Sequence, residues 1–385
     1  MSCFSFISAQ EKGKSTFGKG LVNFVARDST FLIKFAPRIQ FLATSNWDLE
    51  EGNDNASNTS FLIRRARLKF DGYAFSPKLL YKFEFGISKR DMAGITKYSA
   101  NTARFILDAV IIWNFYKNFE LWVGQTKLPG NRERVISSGD MQLVDRSLLN
   151  DNFNIDRDIG FQVRHHFKLS EKFVVREIFS LAQGEGRNVV TGNLGGHQYT
   201  GRLEFLPFGT FAKKGDYVGS SLQREQTPKL AVGVSYDYNK GAVRNLSNRG
   251  IYMETDYGLH ETDITTIFVD AMYKYKGFST MVEYAYRDAK DPVVRNSDGS
   301  ETGVAVKEGN GFNMHSGYLF PKNWEITGRY SRIDLKEKAI SNQYTLGASK
   351  YIYGHKLKVQ SDLSYLTLGG VSEDVMFRLQ FELHF

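Results

Sequence analysis

The chain has 385 residues, a formal net charge of +8 at pH 7 and an aromatic content of 14%. No stretch approaches the roughly 18 consecutive apolar residues of a membrane-spanning helix, which excludes that mode of insertion but not a barrel of alternating strands. The single cysteine, Cys3, excludes an intrachain disulfide. A net positive charge is typical of proteins that bind nucleic acid, an anionic membrane surface or an anionic ligand. Because Lys and Arg are scattered without a run of five, a basic interior is favoured over a nucleic-acid-binding arm.

The N-terminus resembles the end of a secretory signal. Residues 1–10, MSCFSFISAQ, carry no charged side chain and end near the small pair Ser8-Ala9. This pattern predicts a signal-peptide remnant, with a plain disordered N-terminus as the alternative. Residues 11–30 are polar and rich in Gly and Lys, and we interpret them as a short periplasmic lead.

From residue 31 onwards, apolar residues recur at alternate positions, the period of a strand with one apolar and one polar face. The alternation predicts sixteen strands, near residues 31–43, 61–72, 79–87, 104–115, 119–127, 156–168, 173–182, 197–206, 229–239, 263–275, 278–288, 310–320, 324–333, 342–351, 355–367 and 375–385. An even number of alternating strands of about ten residues is typical of a transmembrane antiparallel β-barrel. The sequence therefore predicts an all-β fold, with the barrel spanning residues 31–385.

The connections between these strands alternate in length, as they do in outer-membrane barrels. The odd-numbered gaps are mostly long and polar, whereas most even-numbered gaps are turns of a few residues. The gap at 207–228 breaks the pattern, because it is long where a short turn is expected. Two explanations stay open: an unusual periplasmic turn, or a hidden hairpin that changes the strand count.

The last strand ends the chain on an aromatic residue. Val375, Phe377, Leu379, Phe381, Leu383 and Phe385 alternate with Met376, Arg378, Gln380, Glu382 and His384. Eleven residues suffice for a tilted strand to cross a bilayer. By resemblance to bacterial outer-membrane barrels, the terminal Phe385 is the residue that the barrel-assembly machinery reads. The alternative is the final strand of a soluble β-sandwich.

The second strand, FLIRRARLKFDG, is the most charged. Arg65, Arg67 and Lys69 share one face, and Leu62, Ala66, Leu68 and Phe70 are predicted on the other. Basic side chains facing lipid would cost several kcal/mol, so the basic face is predicted to line the lumen. Two roles stay open for these cations. They select anions, brace the wall by pairing with lumen carboxylates such as Glu84, Glu204 and Glu382, or do both.

The longest outer connection, 128–155, is the second candidate for function. It carries Arg132, Arg134 and Arg146, and Arg157 follows it. A polar loop of this length is uncommon unless it is functional or disordered. Its apolar residues, such as Leu149 and Phe153, favour an ordered segment. We therefore predict a constriction loop that folds into the lumen and narrows it.

Three stretches resemble the phosphate-selective porin O and P family of Gram-negative outer membranes: FLIRRARLKFDGYAF, WVGQTKLPGNRERVISSGDMQLVDRSL and NDNFNIDRDIGFQV. The resemblance implies a sixteen-stranded barrel, commonly a homotrimer, whose inward loop and basic residues form an anion-selective pore. Arg65, Arg67, Arg134, Arg146 and Arg157 can be carried over by position. The lysine-rich phosphate-binding residues of the family cannot be matched.

Enzymatic chemistry has little support. The pair His165-His166 faces opposite sides of a strand and cannot bind one metal, and no cofactor motif stands out.

We therefore predict a passive, anion-preferring outer-membrane porin, with phosphate or polyphosphate as the implied solute, and with lipid, small anions and two further copies of the chain as partners. The predicted anion pathway comprises Arg65, Arg67, Lys69, Arg132, Arg134, Arg146 and Arg157. The alternatives are a barrel of another system without phosphate preference and a soluble all-β carbohydrate-binding protein.

Overall fold

The computed structural model describes residues 17–49, 57–93, 96–99, 102–189 and 192–385. The predicted signal remnant at 1–10, with Cys3, lies outside these residues, as does the start of the predicted lead. Within these residues there are three short α-helices, α1 (Lys89–Met92), α2 (Arg132–Val135) and α3 (Leu148–Phe153). In the described part of the chain, no helix has both the length and the apolar character required to cross a bilayer.

Strands make up most of the fold. They are β1 (Val22–Val25), β2 (Phe31–Phe35), β3 (Arg38–Asp48), β4 (Ser57–Ala74), β5 (Ser76–Gly86), β6 (Ile106–Tyr116), β7 (Phe119–Lys127), β8 (Arg157–Lys168), β9 (Val174–Ala182), β10 (Gln198–Leu206), β11 (Lys229–Ala242), β12 (Glu254–Thr255), β13 (Gly258–Leu259), β14 (Thr262–Tyr275), β15 (Phe278–Ala289), β16 (Val293–Arg295), β17 (Glu301–Ala305), β18 (Gly309–Leu319), β19 (Trp324–Leu335), β20 (Ser341–Tyr353), β21 (Leu357–Leu368) and β22 (Val371–His384).

The strands close into one antiparallel barrel with sixteen strand positions around the ring, here called staves. Each long strand pairs with its neighbours in the chain, and β22 pairs with β3 to complete the ring. β2 and β3 count as one stave because β4 pairs with both. The small hairpins β12–β13 and β16–β17 lie in long connections outside the ring. The prediction of sixteen strands in a transmembrane barrel is confirmed.

The barrel is polar inside and apolar outside, as the alternation predicts. On β22, the side chains of Arg378, Gln380 and Glu382 are buried in the lumen. Phe377 and Phe381 face outwards with 40% and 50% of their surface exposed. An outward apolar band facing lipid is what stabilises a barrel in a bilayer.

The first stave differs from its prediction. The predicted strand is interrupted at Ala36-Pro37, between β2 and β3, because proline has no N–H to donate to the hydrogen-bond ladder. In addition, Val22–Val25 within the predicted lead forms β1, which pairs with β2. The lead is therefore partly ordered as a strand.

A β-bulge in β4 changes which residues face the lumen. Arg65 pairs with Gln40 and Ile63 pairs with Phe41, so Arg64 is an extra residue in the ladder. A bulge places two successive residues opposite one. As a result Arg64 and Arg65 are both buried in the lumen, whereas Ile63 is exposed outside.

The bulge corrects one sequence assignment. Leu62 was predicted to share the lipid face with Ala66, but it pairs with Leu42, which is buried inside the barrel. Ala66 pairs with Ile39, which is exposed outside. The assignment of Leu62 to the lipid face is wrong because the extra residue reverses the alternation on the N-terminal side of the bulge.

The two ends of the barrel differ as the connection lengths predict, and we call them the long-loop end and the short-turn end. The 207–228 segment lies at the short-turn end and contains a 3-10 turn, Ala212–Tyr217, but no strand. Of the two explanations, an unusual turn at 207–228 is therefore correct, and a hidden hairpin that changes the strand count is wrong. Asp216, Ser220 and Ser221 of this segment are almost completely buried, so it folds into the barrel.

The 128–155 segment, here called the constriction loop, also folds into the lumen, as predicted. Its Leu149 and Phe153 are fully buried. They belong to a cluster in which the loop packs on inward-facing residues of four strands. The members are Leu128, Leu149, Phe153, Ile155, Ala182, Phe268, Ala285 and Ile333. The apolar contact holds the loop against one part of the wall, so open space remains on the opposite side.

Candidate functional site: a basic passage beside the constriction loop

A cavity of about 430 Å³ lies between the constriction loop and the wall formed by β4 and its neighbours. Of the residues that the structure describes, ten basic and four acidic ones line this central cavity. The basic ones are Arg65, Arg67, Arg90, Lys127, Arg134, Arg146, Arg157, Arg187, Arg249 and Arg378. The acidic ones are Asp91, Asp145, Asp151 and Asp156. The cavity is therefore strongly electropositive.

Two smaller cavities continue the central one towards both ends of the barrel. The outer cavity, of about 190 Å³, is lined by residues of the long-loop end and shares Arg157, Arg187 and Arg249 with the central cavity. The inner cavity, of about 300 Å³, reaches towards the short-turn end and shares Arg67, Lys127 and Arg157 with it. Arg157 lines all three cavities, which form one basic passage.

Some of the cations in the passage are neutralised by carboxylates. The guanidinium of Arg67 lies between Glu84 and Asp91, at 2.7 and 2.8 Å. Arg157 pairs with Asp108 at 3.0 Å. Buried ion pairs of this kind fix side-chain geometry and cancel most of the local field. Arg67 therefore makes the pairing with Glu84 that the sequence left as one of two open roles.

Other cations have only neutral hydrogen-bond acceptors. Among the described residues, six of the ten lie within 4.0 Å of no carboxylate oxygen: Arg65, Arg90, Lys127, Arg146, Arg187 and Arg249. Arg65 donates to Oε1 of Gln40 at 2.7 Å. Lys127 donates to the carbonyl of Val135 at 3.1 Å, and Arg146 donates to the carbonyl of Glu133 at 3.0 Å. Their charges therefore act on the passage without local cancellation.

Long connections bring two of these uncompensated cations to the cavity. Arg187 donates to the carbonyl of Asp91, and Arg249 donates to the carbonyls of Asn154 and Asp151. Burial lowers the pKa of Arg249 to about 10, which still leaves the guanidinium charged at neutral pH. Both side chains are held by backbone carbonyls and keep their positive charge beside the passage.

Arg132 lies elsewhere in the lumen. Its side chain is fully buried and does not line any of the three cavities. It contacts Asp270 at 2.7 Å and Glu204 at 3.3 Å, and Arg202 binds the same two carboxylates. The two positive and two negative charges of this group cancel, and the group lies on the far side of the constriction loop from the passage.

The remaining predicted residues divide between the cavities. Arg65, Arg67, Arg134, Arg146 and Arg157 meet in the central cavity, whereas Lys69 lines the inner one and pairs with Asp71 at 3.1 Å. Of the cations in the central cavity, sequence reasoning missed Arg90, Lys127, Arg187, Arg249 and Arg378. For Arg378, the alternation of β22 was a usable signal. Arg90, Arg187 and Arg249 lie outside the strands and Lys127 is the last residue of β7, so periodicity does not orient these four side chains.

The described residues contain no group of three His, Cys, Asp or Glu side chains suited to a metal ion.

Residues 43–367 match the family described as phosphate-selective porin O and P. The chain belongs to that family.

One relative in sequence and two outer-membrane proteins of known structure resemble this chain. An uncharacterised protein of Aquifex aeolicus (strain VF5) is 25% identical over 357 residues, which cover 85% of this chain and 79% of that protein. An anion-selective porin from Comamonas acidovorans aligns with a TM-score of 0.56 at 13% identity, over 92% of this chain and 100% of that one. OmpT of Vibrio cholerae in its trimer form aligns with a TM-score of 0.52 at 11% identity, over 92% and 100%.

The porin is therefore an outer-membrane protein. Its family and fold indicate a channel rather than an enzyme. The alternative of a soluble carbohydrate-binding protein is wrong, because the strands close into a membrane barrel with an apolar outer surface.

Proposed function

We propose that this porin is an anion-preferring diffusion channel. One observation carries the proposal: ten cations and four carboxylates line the central cavity, and six of the ten cations have no carboxylate partner among the described residues. Rings of basic side chains lower the barrier for anions and raise it for cations. At a separation of about 8 Å, one such charge contributes roughly 0.5 kcal/mol in bulk water and about 2 kcal/mol at an effective dielectric constant of 20.

Phosphate is the proposed solute within the anion class. A guanidinium presents a planar fork of N–H donors that matches two oxygens of a phosphate group. Arg65 and Arg146 bring such forks to the central cavity, and neither has a carboxylate partner among the described residues. The family description supports the same solute. The alternative is a general anion channel without phosphate preference.

Two electrical measurements in planar bilayers test this proposal. In a KCl gradient, the reversal potential should have the sign of chloride selectivity and should increase in magnitude at low salt, since the Debye length is ~10 Å at 0.1 M. A cation-selective reversal potential would contradict the proposal. Phosphate added at fixed chloride should block the chloride current. Without block, the anion preference stands, but the phosphate preference does not.

We propose that the porin assembles as a homotrimer. The trimer form of Vibrio cholerae OmpT, which shares the fold, supports this state. The measurement is the mass of the detergent-extracted protein before and after heating. A single mass equal to that of one chain in unheated samples would contradict the trimer.

Loss of the terminal aromatic residue should reduce assembly sharply. The backbone N–H of Phe385 donates to the carbonyl of Pro37 at 3.1 Å, at the seam where β22 closes on β3. We propose that the assembly machinery reads this residue, and we expect Phe385→Asp to lower the amount of heat-modifiable barrel in outer membranes severalfold. Phe385→Tyr is the matched control and should assemble normally. Equal assembly of both variants would contradict the role.

A further inference from the structure

The 207–228 segment is the second piece of chain inside the barrel, and it enters from the short-turn end. The carboxylate of Asp216 is fully buried and pairs with Arg176. The hydroxyl group of Tyr217 donates to Glu204 on the inner wall. Buried polar groups are stable only with partners, and these two side chains find theirs on the wall, so this part of the segment is docked on it.

The docking surface is the underside of the constriction loop. The N–H of Gly219 donates to the carbonyl of Asp140 at 2.6 Å. A Cβ atom at Gly219 would lie 2.6 Å from both the carbonyl oxygen of Asp140 and the backbone nitrogen of Gln142. Phe211 joins an apolar cluster with Ile136 and Met141 of the loop. The two backbones are therefore in direct contact, and only glycine permits this approach.

The barrel wall holds the other side of the segment. The ammonium group of Lys274 donates to the carbonyl of Val218 at 2.5 Å. Nε2 of His355 lies 2.9 Å from the carbonyl of Gly219. Near its end, the carbonyl of Glu225 accepts from the N–H of Lys276 at 2.9 Å. Contacts with two separate parts of the wall make the segment a fixed support.

On the passage side, Asp140 lines the inner cavity. The stretch of loop that contacts Gly219 therefore separates the passage from the supporting segment. Arg132 also joins the two inward pieces, since it donates to the carbonyl of Asp216 at 3.1 Å. The segment and the loop are therefore joined both by backbone contact and by the side chain of Arg132.

We propose that the 207–228 segment is a positioning element for the constriction loop. It wedges between the wall and the loop and sets how far the loop extends into the passage. The inference rests on the proposed channel function but not on the sign of its ion selectivity. The channel is then defined by two inward segments, one from each end of the barrel.

Single-channel conductance tests the inference with two substitutions of opposite expected effect. Gly219→Val adds bulk at the contact, which should push the loop towards the passage and lower the conductance by roughly half. Phe211→Ala removes the apolar anchor, so the loop should relax away from the passage and raise the conductance, with noisier open currents. Thr227→Val, at an exposed position of the same segment, is the matched control and should leave the conductance unchanged.

The outcomes separate this inference from the proposed function. Heat-modifiable mobility first establishes which variants assemble, and either assembled variant decides the test. Wild-type conductance in an assembled Gly219→Val or Phe211→Ala variant would overturn the positioning role, whatever the ion selectivity. The reversal potential of the wild-type porin independently reports on the proposed anion preference.

Discussion

Deletion of Asn131–Leu149, with the ends joined by a short Gly-Ser linker, is expected to raise the single-channel conductance severalfold. The deleted residues include Ile136, Met141 and Leu149, which pack in the apolar clusters of the lumen, and side chains that contact the far wall. Gln142 contacts Glu325 at 2.8 Å, and Asn131 contacts Glu283 at 3.5 Å. Without them, water fills the space between the passage and the opposite wall. Conductance rises with the cross-section at the narrowest point.

The measurement compares conductance of the deletion variant and the wild-type porin in the same bilayer and salt. Heat-modifiable mobility verifies that the deletion variant forms a barrel. Deletion of the β16–β17 hairpin, which lies outside the ring of staves, is a control that should leave the conductance close to wild type. An assembled Asn131–Leu149 deletion with unchanged conductance would show that the passage is limited elsewhere.

Arg65→Glu is expected to move the reversal potential towards cations, with a loss of roughly half of the anion preference or more at low salt. The change replaces a buried, uncompensated cation of the central cavity by an anion, a difference of two charges. It removes one hydrogen bond, to Gln40, and breaks no ion pair among the described residues. The barrel should therefore assemble normally.

Two further variants establish that the effect depends on charge and position. Asp151→Asn removes a carboxylate from the same cavity and should shift the reversal potential in the opposite direction. Arg295→Glu makes the same change of charge on the exposed β16–β17 hairpin and should have little effect. Equal shifts for Arg65→Glu and Arg295→Glu would mean that overall charge, rather than the lining of the passage, sets the selectivity.

The sequence alone was sufficient to predict the barrel. Side chains of a strand alternate with a period of two, and only one face can contact lipid, so apolar residues recur at every second position. The sixteen strands follow from that rule, and the gaps between them show the two kinds of connection. The inward constriction loop was also predictable, because residues such as Leu149 and Phe153 need an apolar environment and a polar outer loop does not offer one.

The lining of the passage was predictable only in part. Periodicity placed Arg65 and Arg67 in the lumen correctly, but it could not show that Arg67 is paired and Arg65 is not. Pairing depends on Glu84 and Asp91, which reach Arg67 from β5 and α1. The sequence left open whether these arginines select anions or brace the wall. In our proposal, Arg65 selects anions and Arg67 braces the wall.

The tertiary structure alone decided the rest. A single bulge turned Arg64 inwards, and Arg187 and Arg249 reach the central cavity from loops without periodicity. The far-side network that neutralises Arg132 joins residues more than sixty positions apart in the chain. Strand periodicity is a local property that the bilayer imposes on every stave. Charge compensation in the lumen depends on which distant side chains meet across the barrel, and no local pattern encodes that meeting.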